Sequence, residues 1–195
     1  KLHIKKLDVD GFDIIRFSDG KDYKHASGYE NFYDTLAEAF PHERKGLADY
    51  CNLIKTVGGM IAPEILRGGK ISAGGIEYMA MSIYDQMECM IGDRRLKNVL
   101  AGSISQYAGH PEKSSVYEHA MVNHSNIEGA YSFIGGTQHV ADAFVEVIKA
   151  NGGDVFTSSE VTKIHLEGDK ATFVEVNHEI RIEAGAVISA IHPSV

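Results

Sequence analysis

The sequence predicts an α+β fold, a mixed β-sheet accompanied by a set of helices, on three observations. Strand-like patterns occupy residues 2–26, helical spacing dominates 29–150, and strand patterns return over 154–191. Segregated strands and helices argue against a repeating βαβ unit. The glycine turns that cradle phosphates are missing: G-x-G-x-x-G does not occur, and Gly69-Lys70 is followed by Ile71, with Glu64 where a P-loop needs its first glycine. A nucleotide-binding βαβ unit is therefore absent from this chain, and residues 1–195 read as one domain.

Each element follows from local pattern. Asp10-Gly11 marks a turn before the run Phe12–Phe17, and Ser18-Asp19-Gly20-Lys21 predicts a tight hairpin with positive φ at both turn positions. Lys21 to Ala26 is the return strand. Phe32, Leu36 and Phe40 recur at helical spacing until Pro41 breaks the helix. A second helix is expected from Glu43 to Val57, punctuated by Gly58-Gly59. Met60 to Gly75 fits no single template, and its pairs Gly68-Gly69 and Gly74-Gly75 suggest a mobile loop.

Glu77 to Ile91 reads as one methionine-rich helix. Asp93 is the expected N-cap of the next, which carries Leu96, Val99 and Leu100. Pro111 and Ser114 start a further helix through Tyr117, Met121 and Val122. Gly135-Gly136-Thr137 opens a helix bearing Val140, Phe144, Val147 and Ile148, which stops at Asn151-Gly152-Gly153. Beyond it, Glu167-Gly168-Asp169-Lys170 is a hairpin turn between alternating runs. Ala186–Ile191 is apolar without alternation, as a strand buried on both faces of a parallel sheet reads.

Bulk properties narrow the function classes. The chain has 44% hydrophobic and 24% charged residues, as a globular domain does. Its net charge of −8, with no basic run longer than Arg94-Arg95, points away from nucleic acid. No apolar run approaches the roughly 20 residues that span a bilayer. Cys51 and Cys89 fall in helical patterns and read as two buried thiols of a reducing cytoplasm.

Ten histidines raise the question of a metal, but H-E-x-x-H is absent, and His119 and His124 are five apart, off one helical face. Scattered surface or hydrogen-bonded histidines are the expectation, with no metal site. Asp8 and Asp10 read as turn residues. Gly135-Gly136-Thr137 is either an anion-accepting helix start or a tight turn with an N-cap. Met79, Met87, Met90, Tyr78, Tyr84, Tyr107, Tyr117 and Met121 lie on successive helices and would either form ordinary core or line an apolar pocket.

Several segments carry a resemblance. Ile134-Gly135-Gly136-Thr137-Gln138-His139-Val140-Ala141-Asp142-Ala143-Phe144 is similar to the GG-x-x-x-(L/V)-A-x-A-(L/F) helix of the phytoene desaturase superfamily. Asn151-Gly152-Gly153, Ser159–Ile164 and Ala186–Ala190 follow in that family's order. Leu7–Phe12 with Phe17–Lys21 resembles its DPDG…FPDG hairpin, and Asp93–Gly102 its D-P-x-L-x-x-(L/V)-L-A helix. Glu128-Gly129-Ala130-Tyr131 resembles the approach to the double glycine in retinol saturases and carotenoid isomerases. The order of these motifs across nearly the whole chain carries the match. Two departures are Phe133, where the family often has Tyr-Pro, and Ser189-Ala190-Ile191-His192-Pro193, where SNADP is commoner.

The resemblance implies the substrate-binding segment of an FAD-dependent oxidoreductase acting on an apolar polyene. It covers the middle of a longer enzyme, so the chain is expected to be an internal fragment, inactive alone and without tightly bound FAD. The 186–191 strand would return toward the missing dinucleotide-binding domain. Carried over by position, Val161 matches the strand residue whose backbone meets the adenine, Ser189 and Ala190 the strand end near the dinucleotide, and Gly135 and Gly136 the turn facing the isoalloxazine. Tyr84, Met87, Tyr117 and Met121 would be walls of the substrate tunnel. Two alternatives stay open: a flavin-dependent isomerase without net redox change, and a non-enzymatic binder of apolar ligands or proteins on the same fold. The expected partners are a hydrophobic small molecule and the dinucleotide domain, with self-pairing of the piece through exposed surface. The expected location is the cytoplasm, with peripheral membrane contact of the parent protein left open.

Overall fold

The structure, a computed structural model, describes residues 2–66, 73–110 and 113–191. Contacts divide the chain into two compact units, Leu2–Gly136 and Thr137–Val195.

The first unit begins with β1 (Ile4–Lys6), β2 (Asp13–Arg16) and β3 (Asp22–His25). The β2–β3 hairpin forms where expected, with Arg16 paired to Asp22, but its turn is of a different type. Only Gly20 has positive φ (81°), the Gly20 N–H donates to Phe17 O, and the Phe17 N–H donates to Lys21 O. This is a three-residue loop with a bulge, in which Gly20 alone takes the left-handed position and Asp19 keeps ordinary geometry. Asp8 is a turn residue as read, its Oδ1 accepting from the Asp10 N–H.

Helix α1 (Tyr29–Ala39) ends before Pro41 as expected and buries Phe32 and Leu36. Helix α2 (Arg44–Leu66) runs straight through Gly58-Gly59, where a stop was expected. Its buried stripe of Leu47, Tyr50, Ile54 and Val57 packs along α6 (Val116–Gly129). Burying each such side chain contributes about 1.5–3 kcal/mol, which outweighs the roughly 1 kcal/mol that a helical glycine costs. Gly68-Gly69 lies outside the described residues, whereas Gly74-Gly75 belongs to α3 (Ala73–Ala80) rather than to a loop.

The expected helix over 77–91 is two helices, α3 and α4 (Ile83–Met90). Ser82 breaks it: its side chain accepts from the Asp85 N–H as an N-cap. Around the break the Val116 N–H donates to Met81 O and the Ile83 N–H to Ser114 O, so tertiary partners replace helical ones. Asp93 caps α5 (Arg94–Leu100) as expected, accepting from the Arg95 and Leu96 N–H groups. A 3-10 segment, Ala101–Tyr107, follows. Helix α6 starts at Ser115, not Ser114. A reciprocal capping box with Glu118 decides it. The expected contribution of Pro111 lies outside the described residues. Within the stretch expected to be all helical, β4 (Tyr131–Phe133) pairs antiparallel with β1.

The second unit contains α7 (Gln138–Ala150) and the antiparallel sheet β5 (Val161–Glu167), β6 (Lys170–Val176), β7 (Ile180–Glu183). α7 stops at Asn151-Gly152-Gly153 in a Schellman arrangement: the Gly152 N–H donates to Lys149 O and the Gly153 N–H to Ile148 O.

The described strands form three separate antiparallel sheets rather than one mixed sheet. The α+β class holds. Residues 186–191 form no strand, and Ile188 is 96% exposed. An apolar strand exists only when neighbours take up its backbone hydrogen bonds, and no described strand pairs with this one.

Candidate functional site

The first unit holds a cavity of about 450 Å³. Its walls come from α4 (Ile83, Tyr84, Met87, Glu88), α5 (Arg94, Lys97, Asn98), the 3-10 segment (Ala101, Ile104, Tyr107) and α6 (His119). That volume falls within the roughly 300–1,000 Å³ of small-molecule pockets. The apolar part is made by Ile83, Met87, Ala101 and Ile104. The polar part includes Arg94, Asn98, His110 and Ser114, Lys97, whose Nζ is 2.7 Å from Glu88 Oε2, and the Tyr107–His119 pair.

Two of the four expected tunnel residues reach the cavity. Tyr84 and Met87 line it, whereas Tyr117 is buried in the hydrophobic core and Met121 is 40% exposed; neither is among the cavity-lining residues. Both sit on α6, whose cavity contact is made through His119.

His119 is buried and sits between two tyrosines. Its Nε2 is 2.8 Å from the Tyr50 hydroxyl and its Nδ1 is 2.8 Å from the Tyr107 hydroxyl. Burial pushes the imidazole pKa down to about 4, with the nearby His25 adding to the effect, so the ring is neutral near pH 7. Burial likewise pushes the Tyr107 hydroxyl up to about 12 and Tyr50 well above its ordinary value. Behind them, Asn123 Nδ2 donates to His119 O and Ser103 Oγ donates to Asn123 Oδ1, which ties α6 to the 3-10 segment. Gly109 completes the placement. A side chain there would collide with the Tyr107 ring and Ile104, so only glycine lets the loop pass behind them.

Sequence reasoning noted Tyr107 as one aromatic among several and counted His119 as one histidine in ten. Tyr50 and Tyr107 lie 69 and 12 residues from His119, and no spacing rule joins positions so placed. Two other histidines are hydrogen-bonded: His124 Nδ1 meets the Tyr29 hydroxyl at 2.8 Å and His42 Nε2 meets Asp93 at 3.0 Å. Among the described residues no cluster of His, Cys, Asp or Glu could hold a metal. Cys51 is buried as expected, but Cys89 is exposed, because it sits on the outer face of α4.

The profile of the family described as flavin containing amine oxidoreductase matches residues 97–195, half of the chain. The chain belongs to the flavin-containing amine oxidoreductases. All-trans-retinol 13,14-reductase of Danio rerio is 25% identical over 186 residues, covering 86% of this chain and 31% of that protein. This amine oxidoreductase chain thus spans about a third of the length of the curated relative it matches.

The residues matched by position to flavin contacts occur in both units. In the first, Gly135 and Gly136 have φ of 84° and 96°, with nothing within 4 Å of where a Gly136 Cβ would stand. That backbone is open to a planar group. In the second, Val161 is 53% exposed at the start of β5, an outer strand of its sheet, so its backbone has a free side. Ser189 and Ala190 are exposed and belong to no strand, so the strand-end geometry carried over for them is not formed. Among the described residues no helix is long and apolar enough to cross a membrane.

Proposed function

We propose that this chain is the substrate-holding part of an FAD-dependent oxidoreductase whose substrate is an apolar polyene, and that the cavity of the first unit takes that substrate. The observation that carries the reading is the cavity itself, a space of about 450 Å³ in which the apolar side chains of Ile83, Met87, Ala101 and Ile104 stand among polar and charged ones. The match to a protein named for reducing all-trans-retinol supports the substrate class. FAD would supply hydride transfer. The residues of this chain would hold the polyene, exclude water and, at Gly135, Gly136 and Val161, touch the nucleotide. The dinucleotide-binding domain is the proposed partner.

Titration of the chain with all-trans-retinol, followed by the fluorescence of the polyene, tests the reading. Ile104→Glu replaces one of the four apolar side chains of the wall with a carboxylate and should abolish binding. Met121→Glu, on an exposed site of α6, should leave it unchanged. Retained binding in Ile104→Glu would move the substrate out of this cavity.

A further inference from the structure

Tyr107, one of the residues lining the cavity, carries a hydroxyl proton that its hydrogen-bond network leaves over. A neutral imidazole has one N–H and one bare nitrogen, and His119 makes a hydrogen bond through each, to Tyr50 and to Tyr107. One tyrosine must donate to the ring and the other must accept from it. Tyr50 is fully buried, and the bond to His119 Nε2 is its hydroxyl's hydrogen bond among the described residues. If Tyr50 accepted there, its own O–H would be stranded in the core, at a cost of about 1–3 kcal/mol. Tyr50 therefore donates, Nε2 is bare, and the Nδ1–H donates to the Tyr107 oxygen. Tyr107 then has a proton that the network does not use, on a residue that lines the cavity.

From this geometry we infer that Tyr107 is a specificity-determining hydrogen-bond donor, and that the cavity takes an apolar molecule ending in an oxygen acceptor, a hydroxyl or carbonyl, in preference to a pure hydrocarbon. His119 is the positioning residue that sets the direction of the donor, with Tyr50 as its anchor in the core. The inference rests on the assignment of the polyene to this cavity and deepens it. It adds that recognition of the oxygen end is built into the wall. The neutrality of the ring is required, because a doubly protonated His119 would have no bare nitrogen to receive the Tyr50 proton.

Two measurements on the 195-residue chain test it. The first is nitrogen-15 NMR of the histidine rings, with His119 assigned by comparison with His119→Gln. A protonated Nδ1 and bare Nε2 are expected. A protonated Nε2 would reverse the network and overturn the inference. The second compares all-trans-retinol with the hydrocarbon of the same skeleton lacking the hydroxyl, in the native chain and in Tyr107→Phe. Loss of one neutral hydrogen bond should weaken retinol about fivefold and leave the hydrocarbon unchanged. Equal weakening of both would reduce Tyr107 to an ordinary wall and overturn the inference alone. Failure of both ligands to bind the native chain would overturn the assignment of the cavity and this inference with it.

Discussion

Gly58 on α2 lies directly against His124 on α6, so close that a Cβ at position 58 would overlap the Cβ and Cγ of that histidine. The two helices meet over a surface that only hydrogen can fill at this point. The neighbouring Gly59 is exposed, with nothing within 4 Å of its own would-be Cβ.

This contrast makes a paired prediction. Gly59→Ala should stabilise the chain by about 0.8 kcal/mol through helix propensity. Gly58→Ala gains the same propensity but forces α2 from α6 and disturbs the His124–Tyr29 hydrogen bond. Overpacking costs about 1–3 kcal/mol, so after the propensity gain the net effect should be destabilising by about 0.2–2 kcal/mol. Urea unfolding of both variants checks the signs. Two stabilised proteins would refute the close packing.

Stability should fall in acid because of His119. The unfolded chain takes up a proton near the ordinary value of 6.5, whereas the folded ring resists until about 4. Between those values the unfolded state binds more protons, so stability is complete above about pH 6.5 and is lost as the pH falls toward 4. The shift corresponds to a loss on the order of 3 kcal/mol. Burial also lowers the pKa of His25 and adds in the same direction. All nine tyrosines fall within Leu2–Gly136 and the chain has no tryptophan, so near-ultraviolet circular dichroism follows the unit that holds His119. His119→Gln should flatten the dependence between pH 7 and 4.5. An unchanged slope would assign the effect elsewhere.

The thiols should separate kinetically. Cys51 is buried, and burial pushes its pKa up to about 12, while Cys89 is exposed. The thiolate is the reactive form. A disulfide reagent at pH 8 should modify one thiol quickly and the second only after denaturant is added. Rapid modification of both in the folded chain would contradict the packing of α2.

What the sequence determined by itself are the features written in neighbouring residues. Phe32, Leu36 and Phe40 followed by Pro41 specify α1 and its end. Asp93 specifies the start of α5, and Asn151-Gly152-Gly153 the stop of α7. Asp19-Gly20 specifies a hairpin, and the order of motifs points to flavin oxidoreductases. In each case the deciding interaction is a cap, a turn or a helical repeat spanning a few residues. The tertiary structure decided the rest. Gly58-Gly59 stays helical because α6 covers Gly58, and the methionine-rich helix breaks at Ser82 because residues 114 and 116 take its backbone bonds. β4 exists because β1, more than a hundred residues earlier, pairs with it. Residues 186–191 form no strand because no described strand supplies the partner. The cavity follows the same rule: Tyr84 and Met87 enter it and Tyr117 and Met121 do not, because which face of α6 meets α4 is set by packing. His119 joins Tyr50 and Tyr107 only once α2, α6 and the 3-10 segment are in place, since a hydrogen bond between distant positions has no local pattern to announce it.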